Sequence, residues 1–257
     1  MTNYMKSEWY RIIHSNTIYV VTAIMVLLSV LVNIVLALFL NFTPDFSYGT
    51  FRFSLNIITA QLSILLMAAG VIAVVFFAGE VKNGVVKNVI AYGISRKNIF
   101  VGQTIICFCI CLMIMTVTIV TYVGSAYLLL EEPEWEPFRQ LLKGTGAMLL
   151  SAVASMAFML ILNLIFTKES TAIIVWVAVL FVVPQAAMIL GMKLELFATI
   201  SSLMPYTMLK KEVLVTMSTY QCLWNEPAGL VRCLIVGMLG ILILSGVGMW
   251  KFRKTDI

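Results

Sequence analysis

Charge is what this chain most lacks. Of its 257 residues only 11% are Asp, Glu, Lys or Arg, and 61% are hydrophobic. An ordinary soluble domain carries about a quarter charged residues, so a water-soluble fold could not hide this much apolar surface. Histidine is nearly absent as well. The single His14 excludes a histidine-based metal centre, and it leaves an intramembrane serine protease without a base for its nucleophile. No GxxxxGK[ST] loop occurs, so nothing in the chain can cradle the phosphates of ATP. Nucleic-acid binding is excluded in turn, because the net charge of +5 is not gathered into a basic stripe interleaved with aromatics.

What is present is a set of long uncharged runs: Thr17 to Leu40, Ile57 to Gly79, Asn98 to Leu130, Gly144 to Thr167, Ser170 to Met192 and Cys233 to Trp250. Each meets or exceeds the roughly 18 to 20 residues that cross a 30 Å hydrocarbon layer as a helix. The runs are continuously apolar, whereas barrel strands alternate every second residue. The expected fold is therefore all-α and polytopic, one transmembrane domain over 1–257. Its six spans are expected at about 17–40, 57–79, 99–124, 144–167, 170–192 and 229–250. The first run is too long for a cleaved signal peptide and no small-residue cleavage pattern follows it, so it is expected to remain.

Lys and Arg placement sets the orientation. Ten, including Lys6, Arg11, Lys82, Lys87, Arg96, Lys97 and Lys251, fall on one side and seven on the other, three of those seven in a long loop that weighs less. The basic side is expected to be cytoplasmic and to carry both termini of a multi-pass chain in a cell membrane. On the opposite side Glu131, Glu132, Glu134 and Glu136 share one loop, and Pro44 and Asp45 mark a turn.

None of the six cores contains Asp, Glu, Lys, Arg or His. Ion-coupled transporters hold their ion near the midplane with such groups, so proton coupling is disfavoured. Polar Asn33, Gln61, Ser151, Ser155 and Asn163 remain as candidates to line a substrate path. Ala147, Ser151 and Ser155 recur every four residues, a small-residue face suited to close helix contact, within the chain or with a second chain. Cys107 and Cys111 share a helix face near Met113 and Met115. Buried Cys and Met read as ordinary apolar packing, with a copper(I) path as the minor alternative. Cys222 and Cys233 leave a disulfide open.

Ahead of the first span, Met5, Trp9, Ile12 and Ile13 at helical spacing predict an interfacial helix, with Lys6, Arg11 and His14 on other faces. Pro184 predicts a kink in the fifth span. Before the last span, Leu194 to Met204 and Met208 to Leu214 flank Pro205 and predict two short helices dipping into the outer interface, a re-entrant hairpin. Between the second and third spans lies GEVKNGVVKNVIAYGISRKN, residues 79–98, in which glycines bound a short amphipathic helix carrying Val85, Val86 and Val89.

In that loop Glu80, Gly84, Lys87, Gly93, Ile94, Ser95 and Arg96 resemble the segment between the second and third spans of exporter-type ABC permeases of the second type. Gln103 departs from the pattern, in which a basic residue is common at this place. The six-span plan, the interfacial helix and the outer hairpin extend the resemblance over nearly the whole chain. It implies a cytoplasmic coupling helix, Val85, Val86 and Val89 seated in a groove of a separate ATP-binding subunit, with Glu80 as a hinge or hydrogen-bond anchor and Lys87 and Arg96 at the rim or on lipid phosphates. It also implies a second permease copy or a related permease, no cofactor in this chain, and ATP with Mg on the partner subunit. The substrate would be hydrophobic or amphipathic, as in the peptide-export and bacteriocin or lantibiotic immunity permeases that are similar in size. A membrane anchor or sensor without transport, and a passive channel, are the alternatives.

Overall fold

In a computed structural model, residues 2–43, 48–166, 168–216 and 219–254 are described. The turn expected at Pro44 and Asp45, and Thr167 at the close of the fourth run, lie outside them. The chain is helical almost throughout. Helix α1 covers Thr2–Ile13, α2 Asn16–Phe42, α3 Phe51–Ala60, α4 Ser63–Lys82, α5 Val85–Ala91, α6 Arg96–Leu129 and α7 Trp135–Ile165. Then come α8 Glu169–Val177, a π turn at Ala178–Val182, α9 Val183–Leu190, α10 Glu195–Ser202, α11 Pro205–Glu212 and α12 Pro227–Lys254. Among the described residues six helical stretches are long and apolar enough to cross a membrane: Asn16–Phe42, Ser63–Glu80, Arg96–Leu129, Trp135–Ile165, Glu169–Leu190 and Pro227–Val247. With six crossings, α1, α5 and the last turns of α12 share one end of the bundle, here termed the termini end.

Two of the expected spans are irregular. The second apolar run does not form one helix: the chain breaks at Gln61, whose backbone N–H still bonds Ile57 and Ile58 carbonyls before α4 starts at Ser63. In the fifth span the disturbance expected from Pro184 takes the form of the π turn at Ala178–Val182 just before it. A proline has no N–H for the preceding turn, and a π turn is one way to reroute the bonds that this leaves open.

Helix α7 is the centre of the bundle, packed along α4 and α12, and it buries far more of itself than α2, which touches mainly α6. Close approach explains the α7–α12 seam. A side chain at Gly237 would meet Leu150 Cβ at 2.5 Å and Ser151 N at 3.0 Å. On the other side of α7, the Trp176 indole lies where any Cβ on Gly70 of α4 would stand, and its Nε1 donates to Ser155 O at 3.3 Å.

Opposite the termini end, α10 and α11 form the expected pair of short helices. A two-stranded antiparallel hairpin follows them, β1 Val213–Val215 and β2 Tyr220–Cys222, with Val213 opposite Cys222. The sequence pattern did not indicate this hairpin, nor the single parallel bridge between Thr50 and Glu131. Arg232 at the start of α12 ties the region down, donating to Glu212 Oε1 at 2.7 Å and to Ser202 O at 2.6 Å.

Candidate functional site

The segment that joins α4 to α6 folds as a glycine-bounded turn of helix. Gly84 has φ of 72° and Gly93 of 84°, left-handed conformations that residues with a Cβ rarely adopt, so each permits a sharp change of direction at an end of α5. The Ser95 hydroxyl accepts from Asn98 N–H and caps α6. The two faces of α5 differ. Val86 is 1% exposed, and Val89 and Ile90 are partly buried against the same hydrophobic cluster. Lys87, Asn88, Ala91 and Tyr92 face outward, with Tyr92 87% exposed. The valines thus anchor α5 to its own bundle, and the surface left for a partner is Lys87, Asn88 and Tyr92. Val85 and Arg96 are half-buried.

Directly behind this loop three helices are tied by buried polar groups. Arg11 of α1 donates through Nη2 to Glu80 Oε1 of α4 at 2.5 Å and to Glu8 Oε2 at 2.6 Å, with Nε on Glu8 Oε2 at 2.9 Å. Gln103 Nε2 of α6 donates to the other Glu80 oxygen at 2.6 Å. Glu8 and Glu80 are each 5% exposed, while the Arg11 side chain keeps 46% of its surface and lies over the Phe77 ring. Two carboxylates therefore face one guanidinium. Tyr4 completes the cluster, its ring against Gly102 at the spot where a larger residue on α6 would collide. Burial, followed by the nearby Glu80 and Glu8 charges, pushes the Tyr4 hydroxyl pKa above its ordinary value. The Tyr4 hydroxyl and Gln103 Oε1 are buried with no hydrogen-bond partner.

A family model described as ABC-2 family transporter protein matches residues 4–185, from α1 to the first turn of α9 and including the whole of this cluster. The chain belongs to the ABC-2 transporter family. No curated protein and no solved structure matches it. As the membrane component of an ABC-2 transporter, the chain is a multi-pass membrane protein, of a kind that has no ATPase domain and works with ATP-binding subunits.

The polar residues considered for a substrate path go to separate places in this ABC-2 permease. Asn33 of α2 is held in a closed network. Its Nδ2 donates to Tyr122 O at 2.9 Å and Ser125 Oγ at 2.7 Å, its Oδ1 accepts from Ser54 Oγ at 2.6 Å, and the Tyr122 hydroxyl donates to Ser54 O at 2.9 Å. Gln61 sits exposed at the α3–α4 break. The Ser155 hydroxyl donates to Leu66 O at 2.7 Å, and Asn163 Nδ2 to Ala73 O at 3.5 Å. Ser151 is buried at the α7–α12 seam with its hydroxyl unpartnered. The small-residue face Ala147, Ser151 and Ser155 is thus consumed by α4, α12 and Trp176 of the same chain, and it is not available to a second copy. Cys107, Cys111, Cys222 and Cys233 are all free thiols, and among the described residues no three His, Cys, Asp or Glu side chains converge. Burial raises the Cys222 thiol to about 11.

Sequence reasoning missed Tyr4, Glu8 and Arg11. A signal was present: Tyr4, Glu8 and Ile12 recur every four residues, so a carboxylate stands in the middle of the buried stripe of α1.

Proposed function

We propose that this chain, as one domain over 1–257, is the permease subunit of an ATP-driven exporter in a bacterial plasma membrane, with the termini end cytoplasmic. It pairs with a second permease, the same chain or a related one. Its substrate is hydrophobic or amphipathic, with a membrane-active peptide of the bacteriocin or lantibiotic kind as the working candidate. The observation that carries the coupling role is the Arg11–Glu80–Gln103 tie. It joins α1, α4 and α6 immediately behind α5, so a push on the exposed face of α5 reaches two spans and the interfacial helix together. Glu80, Gly84, Gly93, Ser95 and Arg96 build the joint; Val85, Val86 and Val89 fasten α5 inward; Lys87, Asn88 and Tyr92 meet the ATP-binding subunit. Lys87 also suits lipid phosphates when the partner is away.

The test uses the double variant Lys87→Glu and Tyr92→Ala, which alters only exposed side chains. Capture of the ATP-binding subunit that co-purifies with the wild-type chain falls at least tenfold, and export falls with it, while insertion and thermal stability stay as in the wild type. Normal capture with normal export removes α5 from coupling, and capture without any ATP-dependent export at all favours an anchor or sensor. Val86→Asp is the poorer probe, because Val86 packs on its own chain and a buried charge there damages folding first.

A further inference from the structure

The two helix pairs of the bundle, α2 with α6 and α4 with α7, do not close on each other over their whole length. Between them lies a cavity of about 440 Å3, within the size range of small-molecule pockets. Its inner wall includes Met25, Ala69, Ile72, Ile114 and Met156, of which Ala69 and Met156 are 1% exposed. Its mouth is set by Leu28 and Val32 of α2 against Ile57 of α3 and Ile64 of α4, all exposed apolar side chains. That rim is continuous with the lipid-facing surface of the spans, so the opening leads sideways into the bilayer.

Water is a poor tenant. A buried water needs about three polar partners, and the hydroxyls in the wall are already used: Ser29 donates to Val26 O at 2.7 Å, Thr118 to Ile114 O at 2.8 Å and Tyr122 to Ser54 O. Thr145 of α7 also lines the wall, and its unpartnered hydroxyl oxygen is itself buried and exposes no surface to the cavity. Thr145 stands one residue inside the uncharged run that begins at Gly144, on the side away from the termini. That is the depth at which the ester groups of a lipid lie, between headgroup and hydrocarbon. We infer that the cavity holds one hydrocarbon chain of an ester-linked lipid from the leaflet opposite the termini end, threaded between α2 and α3–α4. The chain restores the dispersion contacts that an empty wall forfeits. The inference rests on the membrane setting alone and stands or falls separately from the coupling role of α5.

The test places the full chain in vesicles of phosphatidylethanolamine and phosphatidylglycerol containing a small share of phosphatidylglycerol with a photoactivatable diazirine midway along one acyl chain. After irradiation, adducts are mapped by mass spectrometry. Ala69, Ile72 or Met156 carries adducts at a level comparable to the outward Val75 of α4. Filling the cavity with Ala152→Phe, or blocking the mouth with Leu28→Trp should the first variant misfold, lowers the inner adducts at least fivefold and leaves Val75 unchanged. Wild-type adducts confined to outward residues overturn the inference, whether the cavity is empty or sealed by a second copy. So do inner adducts that persist in a folded filled variant. Displacement of the inner adducts by a lysine-flanked polyleucine peptide assigns the cavity to an apolar peptide segment and overturns it as well.

Discussion

Two polar clusters sit inside this apolar bundle, and they are built on opposite plans. Near the termini, Glu8, Arg11, Glu80 and Gln103 bring three ionisable groups together from α1 and α4, with two carboxyl groups to one guanidinium, an Arg11 side chain that is nearly half exposed, and buried orphan atoms on Tyr4 and Gln103. In the other half, Asn33, Ser54, Tyr122 and Ser125 join α2, α3 and α6 without any charge, and none of their polar atoms is left buried and unpartnered. A neutral, fully satisfied network favours one geometry, because any movement strands a donor in a low-dielectric interior. A charged cluster with an imbalance and spare acceptors has more than one way to share its bonds. The contrast makes the first a joint and the second a clamp.

The sharpest way to break the comparison is Arg11→Met. It leaves Glu8 and Glu80 buried with no counter-charge, a loss of about 3–5 kcal/mol by the behaviour of broken buried ion pairs, discounted toward the lower end because Arg11 is partly solvated. Thermal unfolding in detergent reads the loss. Glu80→Gln in the Arg11→Met background recovers part of it, and Glu80→Gln alone is milder than Glu80→Ala, since an amide still accepts from Gln103. If Arg11→Met unfolds at the wild-type temperature, the cluster is not a buried tie.

The clamp is tested by Asn33→Leu, which removes the Asn33 bonds to Tyr122 O, Ser125 Oγ and Ser54 Oγ while the Ser54–Tyr122 and Ser125–Tyr122 bonds stay, at about 1–3 kcal/mol. Here stability falls, while ATP-driven export per folded molecule stays within about twofold of the wild type. A large export defect in a folded Asn33→Leu protein returns Asn33 to the substrate path.

The smallest effect belongs to Tyr4→Phe, which removes a hydroxyl without a partner and changes stability near neutral pH by less than about 1 kcal/mol. At high pH the variants diverge. The folded-state pKa of Tyr4 is raised above the ordinary value of 10.0, so its contribution is present in full below that value and is lost as pH rises above it, where only the unfolded chain can ionise. Urea unfolding of Tyr4→Phe between pH 9 and 11 is therefore less alkali-sensitive than that of the wild type. Equal sensitivity places the Tyr4 hydroxyl in water.

Much of the architecture was open to reading in the primary structure, and what it left unread shares one cause. The six spans, the short helix between two glycines and the paired helices around Pro205 follow from run length and punctuation. Arg11 was read as a solvent-side residue, because periodicity assigns a charge to the outer face unless its partner is known, and Glu80 lies 69 positions away. Asn33 stood among the candidates for a substrate path, and its partners on α3 and α6 are likewise distant in the chain. Val86 was assigned to a partner's groove, yet an apolar residue on a surface helix serves its own bundle equally well, and only packing tells which.

The amino-acid sequence alone determined that these 257 residues form a polytopic helical membrane protein and that they contain no GxxxxGK[ST] loop. Hydrocarbon admits only segments that satisfy their own backbone, and run length with absent motifs can be counted in one dimension. Tertiary structure alone decided which polar side chains are joints, which are clamps, which face of α5 is offered outward, and where the bundle leaves room for a guest. Each of those depends on a partner distant in the chain, and a buried polar group is defined by the atom that answers it.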